Sequence, residues 1–427
     1  MGDIHGLFVA TAMTIPSDVP ISAEDTAILG INITGQPYVV TIAAMLSPGG
    51  FVDVDGRPDV ERIRDFLEPR VAREAELQQR PERRDGRWWW VHVPVVMSAH
   101  ITVESVSGDD GFETLCGRKV MEALPPDRPL WHIALVPGAR PGRCGIVVRL
   151  HHAVVDGARA SALLERLFDP VESPDTAEPP EAGAPRVTAA RDGPSFGARL
   201  RHGLRMFLRR PVRSRVLLGP VSAARDVGAT SVDLARLDAG ARARGATVND
   251  AYLFAVGQGL RTVLTDAGES IPDGITVSVP VRIASRDGTH NAVGVMLVTV
   301  PLAECEGALG IIAQRTSEAK PLARAAGSSV GSPRFTRLFN LFTRHQRVIA
   351  TVASNVRGPR HVLALDGAPL TEMWALGPLA GNLRVGFTAA SYAGRLSVGI
   401  ECDAGHLTSA SRIATSVGRA LQSIADH

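Results

Sequence analysis

Cysteine is scarce and lysine almost missing. The four cysteines among 427 residues, Cys116, Cys144, Cys305 and Cys402, lie far apart and form no CxxC pair. That argues against a disulfide framework or a cysteine zinc site and fits a reducing cytoplasm. Of 46 basic residues only Lys119 and Lys320 are lysine; with abundant Ala and Gly, this points to a GC-rich bacterial genome and says nothing of mechanism. Charge of one sign is lacking too. Against those 46 stand 44 acidic residues, a net +2, so a nucleic-acid partner held by overall charge is not expected. No stretch approaches 18 continuous apolar residues, so no membrane span is expected. The apolar stretch Leu7 to Ile15 is interrupted by threonines and follows Asp3 rather than a basic start, which does not make a secretory signal. Gly6 stands where myristoylation prefers Ser or Thr.

What is present is an ordinary soluble composition, 45% hydrophobic and 21% charged, in a chain long enough for two domains. The sharpest composition shift runs from Asp169 to Pro194, crowded with Pro, Ala, Gly and acid. Such a stretch buries too little surface to offset its ordering entropy and reads as a linker. The expected organisation is an N-terminal lobe over 1–168, a linker with a basic segment over 169–222, and a C-terminal lobe over 223–427. The basic segment, Phe196 to Leu218, holds seven arginines and no acid, with Leu200, Leu204, Phe207 and Leu208 at helical spacing until Pro211. Two readings stand: a helix lying across the lobes with a solvated basic face, or a peripheral contact with an anionic lipid surface.

Elsewhere strands and helices alternate, a mixed α/β pattern. Cys144–Leu150 reads as a buried strand and Ala158–Phe168 as a helix with Leu163, Leu164 and Leu167 on one face. Thr247-Val-Asn-Asp250 resembles a capping box and opens a helix closing near Gly268. Ile275–Pro280, Val293–Pro301, Val348–Ala353, Leu383–Ala389 and Gly394–Ile400 read as strands.

Between the first strand and helix sits His151-His152-Ala-Val-Val-Asp156-Gly157. A loop at a strand end presents an imidazole on a rigid base, and an imidazole near its operating pH takes a proton from a hydroxyl and later returns one. Asp156 fixes the backbone as a helix N-cap or through an arginine, and Gly157 permits a close approach. On the other side, paired histidines are more often structural than catalytic, and Asp-Gly before a helix is an everyday cap. Metal binding is disfavoured: adjacent histidines diverge, and no HExxH or Cys/His cluster completes a site. No GxSxG supports a serine hydrolase.

These seven residues match the HHxxxDG motif of the acyltransferase superfamily that includes chloramphenicol acetyltransferase and peptide-synthetase condensation domains. Three further elements resemble the bacterial wax ester synthase/diacylglycerol acyltransferase family: Arg128-Pro-Leu-Trp131 its PLW element, Asn249-Asp250 its ND motif, and Ser354-Asn355-Val-Arg-Gly358-Pro359 its SNVPGP element, with Arg357 where proline is usual. In the first hundred residues only Ala23–Ala27 and Tyr38–Ile42 stand where the family has its opening motifs, which leaves the acceptor open. The resemblance implies two chloramphenicol-acetyltransferase-like lobes, each a mixed sheet flanked by helices, with the site between them. It implies His152 as general base, His151 and Asp156 as loop-structuring residues, and Gly157, Trp131, Asn249, Asp250, Ser354 and Asn355 along the substrate channel. No cofactor or metal is implied; acyl-CoA or an acyl carrier thioester is the donor and an alcohol or amine the acceptor. The leading expectation is a cytoplasmic acyl-CoA-dependent O-acyltransferase, at most peripheral to the inner membrane or lipid inclusions. The alternatives are a condensation-type acyltransferase of specialised metabolism and a non-catalytic lipid-binding relative, against which the intact His152 and Asp156 speak.

Overall fold

β-Branched and aliphatic residues fill the stretches that pair into two large sheets. The computed structural model describes residues 18–30, 36–106, 111–171, 211–282, 293–302, 307–326, 341–379, 381–407 and 409–426. Along the first part come β1 (Val19–Pro20), α1 (Ala23–Leu29), β2 (Val39–Leu46), α2 (Val60–Val71), β3 (Gln79–Arg84), β4 (Arg87–His92), α3 (Met97–His100), β5 (Ile101–Val103), α4 (Phe112–Met121), β6 (Trp131–Arg140), β7 (Arg143–His151), α5 (Gly157–Leu167) and β8 (Asp169–Pro170). The second part holds β9 (Arg225–Asp233), α6 (Leu234–Ala243), α7 (Val248–Asp266), β10 (Gly274–Arg282), β11 (Val293–Pro301), α8 (Ala308–Ala326), β12 (Thr351–Arg357), β13 (Leu363–Leu365), β14 (Ala368–Leu376), β15 (Val385–Tyr392), β16 (Arg395–Asp403) and α9 (Ala410–Ala425).

A seven-stranded sheet runs β5-β6-β7-β2-β14-β13-β8 and a six-stranded one β11-β10-β12-β15-β16-β9; β1, β4 and β3 form a small third. Both large sheets are mixed, parallel at β5–β6 in the first and at β10–β12–β15 in the second. The two lobes do not follow chain order. Strand β14 pairs antiparallel with β2, placing residues 363–376 of the C-terminal part in the first lobe's sheet. The physical reason is the edge of β2, which would otherwise be left unpaired beside β7. Residues 211–222 likewise depart from a linker: Leu217 and Leu218 are buried in the second lobe's core. The stretch 172–210, with most of the basic segment, lies outside the described residues.

Strand β12 begins three residues later than the sequence reading and runs on to Arg357, because Val352–Arg357 pair in parallel with Gly386–Ser391. The motif's Ser354 and Asn355 therefore lie inside a strand. Two-residue turns with both residues at positive φ join β3 to β4 (Asp85–Gly86), β13 to β14 (Asp366–Gly367) and β15 to β16 (Ala393–Gly394). These mirror-image turns match the twist of a hairpin. Among the described residues no helix is long and apolar enough to cross a membrane.

The lobes meet through a third apolar cluster. Ala43, Met45 and Val147 of the first sheet and Phe112, Leu115 and Cys116 of α4 pack with Val227 of β9 and with Trp374 and Leu376 of β14. Side chains alternate along a strand, so Val147, Arg149 and His151 share this seam-facing side of β7, while Ile146, Val148 and Leu150 face the first lobe's own core.

One buried hydroxyl fastens the crossing segment. Tyr392 Oη donates to the Leu370 carbonyl and accepts from the Leu363 backbone N–H, both at 2.8 Å. Tyr392→Phe strands both backbone groups without partners, so denaturant unfolding should report a loss of about 1–3 kcal/mol.

Candidate active site

The site is built where β7 ends. His151 is the last ladder residue, opposite Val39 of β2, and its carbonyl accepts from Val154 N (2.9 Å) and Val155 N (3.3 Å), turning the chain sharply. The imidazole stays inside this turn: Nδ1 lies 3.1 Å from Ala153 N and accepts its proton, which leaves the ring's own hydrogen on Nε2. Burial, with the charge of His152 second, pushes the His151 pKa down from 6.5 to about 4. His151 is thus a neutral structural acceptor.

His152 points differently. Its backbone N–H donates to the Tyr38 carbonyl at 2.9 Å, and its ring sits 5.2 Å from the Tyr38 ring at 49°. The half-buried imidazole is therefore propped on the residue that leads into β2. Asp156 caps α5, its Oδ1 accepting from Arg159 N at 2.7 Å. No ion pair with an arginine forms at Asp156 among the described residues.

At Gly157 the two lobes come into close contact. A Cβ at this position would sit 2.8 Å from Val356 Cγ2 of β12. Only glycine lets α5 begin this close to the second lobe, so the HHxxxDG loop and the SNVR strand form one seam. Ser354 shares the face of Val356 by the two-residue period of the strand and looks toward the same seam. Asn355 lies on the opposite face. Its Nδ2 donates to Asn249 Oδ1 (3.2 Å) at the start of α7.

The other sequence candidates have structural places. Asp250 closes a capping box with Thr247 and accepts from Thr316 Oγ1 of α8 at 2.6 Å, buried away from the seam. Trp131 pairs with Leu150 on the core side of the sheet. It is 4% exposed, donates Nε1 to the Leu77 carbonyl (2.9 Å) and stacks on His100 at 4.2 Å. Neither lines a channel here. Tyr38 and Val356 went unremarked as site residues in the sequence, although Tyr38 stands where the family has an opening motif and Val356 lies within the SNVR element. Arg149, also on the seam face, is buried and donates to the Glu122 carbonyl; burial lowers its pKa, opposed by Glu122 and Glu104. No cluster of three or more His, Cys, Asp or Glu side chains among the described residues is placed to hold a metal.

Residues 21–205 match the family model described as the wax ester synthase/diacylglycerol acyltransferase catalytic domain, and 290–425 match the corresponding C-terminal domain. A probable diacylglycerol O-acyltransferase, tgs1, of Mycobacterium tuberculosis H37Rv is 26% identical over 419 residues, covering 88% of this chain and 90% of that protein. Among solved structures, a wax ester synthase/diacylglycerol acyltransferase from Marinobacter aquaeolei VT8 aligns with a TM-score of 0.69 at 23% identity, over 95% of this chain and 98% of that one. The first condensation domain of the calcium-dependent antibiotic synthetase aligns at 0.64 and 17%, over 96% of each. These likenesses extend to both lobes.

Two outcomes follow from the seam. Gly157→Ala should lower stability and activity together, and adding Val356→Ala, which clears the facing methyl, should restore much of both; thermal melts and turnover of the single and double variants read this directly. For His151, the folded ring holds its proton less tightly than the unfolded one, so its contribution to stability is present above pH 6.5 and lost as pH falls toward about 4. His151→Asn keeps an acceptor for Ala153 N–H and removes the titration, so urea unfolding across that window should show a flatter decline.

Proposed function

The chain belongs to the wax ester synthase/diacylglycerol acyltransferase family and is an O-acyltransferase of that type; from that premise we propose that it moves an acyl group from acyl-CoA to an alcohol, with His152 as general base. What supports this reading is that His152, with its ring against Tyr38, stands on the same loop as Gly157, which packs on Val356 of the second lobe.

A neutral His152 accepts the proton of the acceptor hydroxyl as its oxygen attacks the thioester carbonyl. A C–O bond forms and the carbonyl becomes a tetrahedral oxyanion. Collapse breaks the C–S bond, and the imidazolium returns its proton to the leaving thiolate. Holding both substrates in one seam turns an encounter of two molecules into a step within one complex. The Ser354 hydroxyl, on the seam side of β12, is our candidate donor to the oxyanion. His151 and Asp156 shape the loop without touching substrate. A long apolar acceptor channel would favour a neutral-lipid ester as product, and a short polar one the reading that follows. The fold likeness to condensation domains supports a second reading, ester or amide formation on a small alcohol or amine from a carrier-bound thioester.

Thiol release from a panel of acyl-CoAs, with long-chain alcohols, diacylglycerol and small amines as acceptors, tests both. His152→Ala should lower turnover by about 10²–10⁴ while the melting curve stays near wild type. Near wild-type turnover in that variant would end the proposal. Asp156→Asn should lower the melting temperature along with activity, since the carboxylate holds the start of α5.

A further inference from the structure

We propose that Gln36 is a positioning residue for His152, held from across the seam by Arg225 and Glu401 of the second lobe. This rests on His152 as the base but adds residues that no motif contains.

Arg225 opens β9, and Glu401 lies on the neighbouring β16, diagonal to it because Arg225 pairs with Asp403. Their side chains are 0% and 2% exposed, with Nε and Oε1 3.2 Å apart. Removing such a pair from water is costly for each ion, and attraction alone repays it only when further hydrogen bonds improve the geometry. Arg225 Nη1 donates to the Ser222 (2.6 Å) and Ala224 (3.1 Å) carbonyls. Further hydrogen bonds come from the first lobe. Gln36 Nε2 donates to Glu401 Oε1 at 2.7 Å, and Gln36 Oε1 accepts from Arg225 Nη2 (3.0 Å) and Nε (3.3 Å). A side-chain amide carries a donor and an acceptor in one plane, so it answers the carboxylate and the guanidinium together.

Gln36 is tied to the site by a short, stiff link. Pro37 follows with its φ fixed, and its carbonyl accepts from Val39 N at 2.9 Å, closing a tight turn. Tyr38, inside that turn, supplies the carbonyl and ring that support His152, and Val39 is the ladder partner of His151. The second lobe therefore sets the height of the histidine platform through three consecutive residues.

The test uses full-length protein and two readouts. In Gln36→Met, which keeps length and loses both hydrogen bonds, kcat for thiol release should fall about 10- to 100-fold with little change in KM for acyl-CoA. In protein labelled with 13C-histidine, the His152 ring resonance, assigned by its absence in His152→Ala, should shift. Gln36→Glu sets a second carboxylate against Glu401 and should behave alike. Combining it with Glu401→Gln returns one carboxylate and one amide to the cluster, and should recover kcat to within a few-fold and return the resonance. Variants that melt earlier but keep wild-type kcat and an unmoved His152 resonance would overturn the proposal, leaving the cluster as structural glue. Should wild type release no thiol with any acceptor, the acyl-transfer reading fails, while the resonance of Gln36→Met and its return in the exchanged pair still decide whether Gln36 positions His152.

Discussion

The antiparallel pairing of β14 with β2 is the constraint on which the rest depends. It takes residues from beyond the second lobe's β12 and sets them in the first lobe's sheet, one strand away from β7 and its terminal histidines. Because β14 also lies against β15 and β16, a single strand belongs to one sheet by hydrogen bonds and to the other by packing. Two lobes joined only by a linker would slide and tilt as transient partners do. Here the seam is built into a ladder, and the proposed base on one side keeps a fixed relation to a strand on the other.

That dependence explains why the motifs fall where they do. The HHxxxDG loop, which runs into the start of α5, and the SNVR strand are far apart in sequence, yet Gly157 and Val356 touch. Asn249 and Asn355 meet as well, on the far side of β12, so the second lobe's two motif elements brace each other behind the seam. The motif strand thus has two duties divided by parity. Ser354 and Val356 face the first lobe, and Asn355 ties the strand to α7.

Much of this was legible in the sequence where the signal is local. The buried run before His151, the helix after Asp156 and the capping box at Thr247 depend on neighbours a few residues away, and each stands close to its expected bounds. The crossing of β13 and β14 was not legible. Ala368–Leu376 mixes Thr371 and Glu372 among apolar residues, and nothing in its pattern says which sheet it joins. Asp85–Gly86 and Asp366–Gly367, hairpin dipeptides that the sequence reading left out, join β3 to β4 and β13 to β14, strands that periodicity passes over. Within the site, resemblance led to His152 and Asp156, whereas Tyr38 becomes a platform only through a carbonyl and a ring face. Trp131 and Asp250 matched motifs and proved to be packing and capping, because a motif records a residue's place in a fold without distinguishing support from contact with substrate.

The seam also divides its labour between apolar and polar contact. The cluster of Met45, Phe112, Val147, Val227 and Trp374 supplies adhesion, and hydrophobic burial is non-directional, so it tolerates a shift of register. A directional group sits beside it: Gln36 of the first lobe between Arg225 and Glu401 of the second. Burial raises the pKa of Glu401 to about 7 against the opposing pull of Arg225 and Gln36, which marks this carboxylate as costly to keep charged. An apolar trio of the same volume would hold the lobes together equally well or better. It would not fix their register, and the proposed base, which would have to meet a hydroxyl held against a thioester, needs register more than adhesion.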